Sequence, residues 1–330
     1  MEHQIKLHEN KQLFGQSVQF TAQQLKIADI YVEKDYYWVT YTLQTIFNHP
    51  IGKDTVFKGG TSLSKCFGLI GRFSEDIDLV VLRHEGESNN QLTNKIKKIG
   101  QVVEDVLPEI EISEVTQKRG MNRKTAHTYT KEFQGNYGQV RDVIIVETTW
   151  LGHHEPYTTK PINTYIYEMM LSTGQQSLAV EYGLLPFDIL VMEPKRTVCE
   201  KIMSLVRFSY TEEPLEDLKK KIRHTYDLHQ LLQEKGLREF FNSAAFDELL
   251  LKVANDDVTS FKNNNEWLKY HPNKAKIFAE VVDVWEQLKE TYNGAFRNLV
   301  FGDFPKDEKV LETLQTIKSR LDAIEWKIKV

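Results

Sequence analysis

Residues 56–81, VFKGGTSLSKCFGLIGRFSEDIDLVV, decide how the rest of the chain is read. A short strand-like run ends at Gly59-Gly60, Thr61-Ser62 follow, and an amphipathic segment leads to Asp76-Ile77-Asp78 at the head of a β-branched run. DTVFKGG reads as a buried strand closed by a glycine turn, EDIDLVVL as a second strand, and Thr61 or Ser62 as a good N-cap for the helical segment SLSKCFGLI. Residues i and i+2 of a strand project to one face, so Asp76 and Asp78 point the same way. Two close carboxylates repel unless a divalent cation, protonation or solvent relieves them. Oxygen-only ligands suit Mg²⁺, which takes one or two carboxylates together with substrate phosphates. The glycine turn opens a helix whose free N–H groups can face a phosphate. A phosphate cradle beside a metal platform is what phosphoryl or nucleotidyl transfer requires, because that chemistry rests on charge neutralisation and alignment. Alone, a Gly-Gly-Thr is a turn and helix cap and a DxD is a solvated surface pair; their order and spacing make the combination specific.

The 330 residues suffice for two domains, each with its own core. Aliphatic, aromatic and sulfur residues make up 41% and charged residues 27%, the balance of a soluble globular protein. No window approaches about 18 uninterrupted apolar residues, and the start, MEHQIKLHENKQ, has no signal-peptide hydrophobic region, which predicts a cytoplasmic protein with no membrane partner. Cys66 and Cys199 stand far apart in no CxxC pair, excluding a disulfide framework and a four-cysteine zinc site. With a formal charge of −5, a polyanionic partner must meet a local basic patch.

Apolar residues recur at helical spacing from Thr21 to His49, and again over 91–107 up to Pro108. EIEISEVT and VRDVIIVETTW read as two further strands. Strands and helices thus alternate to about residue 170, which favours an α/β (α+β) domain. Beyond about residue 185 the chain shows helical periodicity throughout: EPKRTVCEKIMSLVRF, EDLKKKIRHTYDLHQLLQEKG, FDELLLKVAND, NKAKIFAEVVDVWEQLKETYNGAF and KDEKVLETLQTIKSRLDAIEWKI. The expected organisation is a mixed-sheet domain over 1–180 with N-terminal helices, then an all-helical domain over 181–330 that completes the active-site cleft.

FKGGTSLSKCFGLIGRFSEDIDL resembles the signature of the AbiEii/AbiGii-type nucleotidyltransferases, toxin components of bacterial toxin–antitoxin and phage-defence systems within the DNA polymerase β-like superfamily. VEKDYYWV, RTVCEKIMSL and RHTYDLHQL fit the same pattern in order, so the resemblance runs from about residue 30 to 232, and the final hundred residues carry no matching motif. The resemblance implies that Gly60, Thr61 and Ser62, after Gly59, hold nucleotide phosphates and that Asp76 and Asp78 bind Mg²⁺ or Mn²⁺. Glu147, at the end of VIIVE, is the candidate third metal carboxylate, or else a solvated strand-end glutamate. The family's lysine of the EK pair and aspartate of YDL map onto Lys201 and Asp227. By spacing alone, a snorkelling surface lysine is the favoured reading of Lys201 over one that emerges beside Val198, Ile202 and Leu205 toward a cleft, and Arg223 and Asp227 read as an ordinary i,i+4 ion pair. The implied activity moves a nucleoside monophosphate from an NTP to an acceptor, such as the 3′ end of tRNA, with a cognate antitoxin encoded nearby. Protein nucleotidylation, γ-phosphate transfer and a non-catalytic nucleotide or RNA sensor stand as alternatives.

Lys58 and Lys65 flank the glycine turn and are candidate phosphate contacts, with Lys195 a weaker substitute for Lys201. Arg72 and Ser74 share the parity of Asp76 and Asp78 and face the site if the strand begins early; otherwise they are loop residues. His153, His154 and Glu155 invite a zinc reading that an extended chain disfavours, because adjacent side chains point apart. QKRGMNRK, with Lys118, Arg119, Arg123 and Lys124, reads as a hairpin tip for an RNA backbone or a solvated charged loop, and LKKKIRH forms a second basic cluster.

Overall fold

The computed structural model describes residues 4–74, 76–113, 115–135 and 141–330. Glu75, Glu114 and Val140, which belong to three of the expected strands, lie outside the described residues. The chain divides into two compact units: Met1–Cys66, Phe73–Trp150 and Tyr157–Val191 in the first, and Phe67–Arg72, Leu151–Pro156 and Met192–Val330 in the second.

The first unit is built on a mixed sheet whose order is β3-β5-β6-β2-β1-β8-β7, with β4 paired to β5. Its strands are β1 (Thr55–Lys58), β2 (Asp76–Val81), β3 (Glu109–Ile110), β4 (Gln117–Lys118), β5 (Asn122–His127), β6 (Ile144–Thr149), β7 (Tyr157–Ile162) and β8 (Phe187–Met192). The two strands read from the opening stretch are its centre: β2 lies antiparallel to β1 and parallel to β6. The neighbours Val56 and Phe57, and Ile144 and Ile145, point to opposite faces of the sheet and are all buried, as are Ile77 and Leu79, so the centre of the sheet is covered on both faces.

Several elements differ from the sequence reading. Among its described residues EIEISEVT supplies the two-residue edge strand β3, after which the backbone turns, the Val115 and Thr116 N–H groups donating to the Ile112 carbonyl. β7 and β8 went unread: β7 (YTTKPI, Tyr157–Ile162) alternates exposed and partly exposed residues, and β8 lies past the residue-180 boundary expected for the sheet domain. The periodic run Thr21–His49 is not one helix; it breaks after Leu25 at Lys26, which takes a left-handed conformation (φ 56°), and resumes through a π-helical turn, Val32–Trp38, into the helix Val39–Asn48.

That π turn explains the charged VEKD motif inside an apolar run. Glu33 is fully buried, and its carboxylate accepts from the backbone N–H groups of Glu132 (2.7 Å) and Phe133 (3.1 Å). The Lys34 ammonium donates to the Arg141 carbonyl, and the Lys65 ammonium to the Asp35 carbonyl. Buried charges persist where backbone groups satisfy them.

The second unit is helical from Pro194 onward. Its main helices are Pro194–Phe208, Ile222–Gln233, Ala244–Ser260, Val281–Thr291 and Asp307–Asp322, covering each of the five periodic segments read from the sequence. The long segment from Glu216 to Gly236 is split at Lys221, separating Pro214–Lys220 from Ile222–Gln233. Among the described residues no helix is long and apolar enough to cross a membrane.

Candidate active site

Strand register, which no single segment contains, assembles the acidic face of the first unit. Cα partners run Lys58↔Asp78, Asp78↔Glu147 and Glu147↔Lys124 across β1, β2, β6 and β5. Those four side chains therefore form one cross-strand row, with Asp76 two residues along β2 on the same face. Lys124 Nζ lies 3.0 Å from Glu147 Oε2. The Asp78 carboxyl is pushed up to about 7, first by burial and then by the charges of Asp76 and Glu147, with Lys58 and Lys124 pulling the other way. Burial alone would lower the Lys124 ammonium, but Glu147, Asp76 and Asp78 outweigh it and raise the group.

The glycine turn touches this face directly. Gly59 has φ +82°, the left-handed region, and a Cβ built on it would stand 2.1 Å from Asp78 Oδ2. Only glycine lets the turn approach the carboxylate so closely. The helix begins at Gly59 with Lys58 in the N-cap position, so the expected capping by Thr61 or Ser62 is not what their hydroxyls do. Thr61 Oγ1 donates to the Asp76 carbonyl (2.6 Å) and sits 2.9 Å from Ser74 Oγ, while Ser62 Oγ donates to the Gly59 carbonyl (2.9 Å). Both residues are buried. They brace the turn against β2, and the first-turn N–H groups have no intrahelical acceptor. Lys65 points elsewhere: besides the Asp35 carbonyl, its ammonium lies 3.2 Å from Thr40 Oγ1, which ties the turn's helix to the N-terminal helices.

The donors on this face fit a hard divalent cation. Among the described residues Asp76 Oδ1 is buried with no hydrogen-bond partner, an arrangement that is costly unless something else meets the oxygen. With Asp78 beside it the set is all oxygen, as Mg²⁺ or Mn²⁺ prefers. Among the described residues no three His, Cys, Asp or Glu side chains converge as a metal group. Glu147, the expected third ligand, is on the right face but is drawn to Lys124. His153 pairs with Asp256 (3.3 Å) and Glu155 with Lys252 (3.2 Å), which disperses the His153-His154-Glu155 candidate.

Within the second unit, Asp227 is fully buried between two cations. Arg72 Nε and Nη2 each donate to one of its oxygens at 2.6 Å, and Lys201 Nζ lies 2.7 Å from Oδ2. Burial would raise this carboxyl, but Arg72 and Lys201 outweigh it and hold the group well below the usual carboxylate range. The Lys201 ammonium is lowered by burial, opposed by Asp227. The i,i+4 spacing that suggested an Arg223–Asp227 pair is superseded, since the partners of Asp227 come from distant positions. Arg72 is a loop residue, β2 beginning only at Asp76.

The basic stretch 117–124 is indeed a hairpin, β4 pairing with β5, but its charges are largely met by acids: Lys118 and Arg123 pair with Glu109, and Lys124 with Glu147. Lys124 thus lies on the acidic face, where the sequence reading placed it at a hairpin tip or in a solvated loop. Nothing in NRKTAH marks it, because the acid it meets lies on another strand.

A glycine turn packed on a strand that carries two aspartates on one face, at the centre of a mixed sheet, defines a nucleotidyltransferase. The chain matches the family described as nucleotidyl transferase AbiEii toxin, type IV toxin–antitoxin system, over residues 42–320, and it belongs to that family. The match continues well past the last motif recognised in the sequence, through helices that are periodic but carry no signature. No curated protein matches the chain.

Three outcomes follow from this geometry. Gly59→Ala should cost about 1–3 kcal/mol from the left-handed backbone, and by displacing the Asp78 carboxylate it should lower turnover far more than it lowers the melting temperature. Asp227→Ala leaves Arg72 and Lys201 buried and uncompensated, so denaturant unfolding should show a loss of about 3–5 kcal/mol. Because the Asp78 pKa is higher folded than unfolded, its stabilising contribution is complete below the ordinary carboxylate range and is lost as pH rises through about 7. Urea unfolding of metal-free protein should therefore show a downward slope from about pH 4 to pH 7 that Asp78→Asn flattens, by about 1–3 kcal/mol overall.

Proposed function

We propose that the protein transfers a nucleoside monophosphate from an NTP to an RNA acceptor, the 3′ end of a tRNA being the candidate, with Asp76 and Asp78 holding Mg²⁺ or Mn²⁺. The observation that carries this reading is the buried Asp76 Oδ1, without a hydrogen-bond partner among the described residues, beside Asp78 on a face that the glycine turn abuts. The bound cation supplies charge neutralisation at the phosphates and acidifies the acceptor hydroxyl. The chain's own part is positional. The first-turn N–H groups from Gly59 and Gly60 onward meet phosphate oxygens, held in place by the Thr61 bond to the Asp76 carbonyl. Lys58, opposite Asp78 in the register, adds positive charge next to the turn. Lys201 and Asp227 enter this reading through the family resemblance alone; their ion cluster with Arg72 is a feature of the second unit. An RNA target, growth arrest of the cell in phage defence, action in the cytoplasm and neutralisation by an antitoxin encoded nearby complete the proposal, resting on the character of the family.

Incubation with each α-labelled NTP, Mg²⁺ or Mn²⁺, and total bacterial RNA and protein tests it. Label is expected in RNA with wild type and not with the Asp76→Ala, Asp78→Ala double variant. Label confined to protein reassigns the acceptor, transfer of γ-label instead makes the protein a kinase, and binding without turnover under any metal makes it a sensor.

A further inference from the structure

In the second unit, Gly71 has both of its backbone polar groups committed. It lies in Phe67–Arg72, the segment that leads from the helix of the glycine turn, ending at Lys65, toward β2. The Gly71 N–H donates to Tyr226 Oη (3.3 Å), and the Gly71 carbonyl accepts from the N–H groups of Phe301 (3.0 Å) and Gly302 (3.2 Å). Arg72, next along the chain, forms an isolated antiparallel bridge with Val300 and turns its guanidinium onto Asp227. Tyr226 is itself held: it is fully buried, the Phe296 ring meets it edge-on with centroids 5.4 Å apart, and Gln230 Nε2 donates to its Oη (3.1 Å). A Cβ built on Gly71 would stand 3.2 Å from Gly302 Cα, tighter than ordinary contact, so glycine is what lets the two backbones cross.

Asp76 follows Arg72 by four positions, and the described residues between them leave no slack. Phe73 is buried and stacked on Tyr31 with centroids 3.7 Å apart, and Thr61 Oγ1 meets Ser74 Oγ at 2.9 Å and the Asp76 carbonyl at 2.6 Å. Resting on the reading of Asp76 and Asp78 as the site of transfer, we infer that Tyr226 is a positioning residue for the reaction: through the Gly71 N–H, with Phe301 and Gly302 as the opposing jaw, it fixes the segment from which the chain enters the strand of the two aspartates. Chain connectivity carries the effect. A loop anchored by its backbone and by the Arg72 side chain cannot drift without moving the residues that follow it, and small displacements of reacting groups are costly in rate. The same clamp sets where Arg72 meets Asp227, and it gives Val300–Gly302, in the stretch that carries no recognisable motif, a part in the chemistry.

Pyrophosphate release from each NTP by the full-length protein, with Mg²⁺ or Mn²⁺ and total bacterial RNA and protein, tests this whichever macromolecule accepts the nucleotide. Tyr226→Phe keeps the ring against Phe296 and removes the acceptor of the Gly71 N–H. Gly71→Ala meets no left-handed backbone penalty and presses on Gly302 instead. Assayed well below their melting temperatures, both are expected to lower kcat about tenfold, the size that one hydrogen bond carries when it acts on the barrier, with KM for the NTP held within about twofold. Should either variant fail to fold, as judged by circular dichroism, the other decides. Tyr292→Phe is the matched control: it removes an equally buried hydroxyl, which donates to the Pro305 carbonyl at 2.8 Å, and should lower Tm with kcat unchanged. Wild-type kcat in the folded Tyr226 and Gly71 variants, a loss carried by KM alone, or an equal loss of kcat in Tyr292→Phe overturns the inference, while the reading of the site stands if the Asp76→Ala, Asp78→Ala double variant is inactive. Turnover that survives in the double variant, or none by wild type, overturns the inference and that reading together.

Discussion

Repulsion between carboxylates held close on one face of a sheet is the constraint around which the first unit is organised. β2 brings Asp76 and Asp78 to the same side, and the parallel pairing with β6 adds Glu147 directly opposite Asp78. A fold has few ways to tolerate this. Here a lysine stands at each end of the row, Lys58 on β1 and Lys124 on β5, and the central carboxyl is pushed up toward neutrality. Among the described residues, one buried oxygen of Asp76 is left without a hydrogen-bond partner. A site that stabilises itself incompletely in this way is poised for a ligand that brings positive charge.

The turn ahead of β2 is shaped by the same carboxylates. Gly59 is required both by its left-handed backbone and by the space that the Asp78 carboxylate takes. Thr61 and Ser62, whose hydroxyls look available in the sequence, are spent on the Asp76 and Gly59 carbonyls. Their value is rigidity: the turn and the strand are locked by a 2.6 Å hydrogen bond, so the N–H groups of the turn and the carboxylates of β2 keep one geometry. Lys65 extends that support to the N-terminal helices through the Asp35 carbonyl. In the second unit a comparable economy operates, with Asp227 neutralising Arg72 and Lys201 at once and so making two buried cations tolerable.

Local pattern and motif together made the core of this organisation legible before any coordinates. The strand–turn–helix–strand unit of 55–81, the aspartate pair with its common face, and the helical character of the chain beyond Met192 all follow from spacings within a few residues. The family match over residues 42–320 agrees with the resemblance carried by those motifs. Segments whose fate depends on distant neighbours were read less well. EIEISEVT has the composition of a strand, but among its described residues only the first two pair, and the partly exposed β7 lacks the apolar alternation that would announce it.

The sequence by itself determined which chemistry is possible: a DxD on a strand, a double glycine before it, and a lysine and an aspartate on two later helices are all local facts of residue type and period. Tertiary structure alone decided how those groups are used. Whether Asp227 would pair with Arg223, Arg72 or Lys201, whether Thr61 would cap a helix or brace a strand, and whether Lys124 would face solvent or an acidic face are questions of which atoms meet across tens of residues. The physical reason is the range of the forces involved. Backbone geometry and side-chain alternation act within a turn or a strand, whereas burial, register and charge pairing act between segments, and only the folded chain sets their distances.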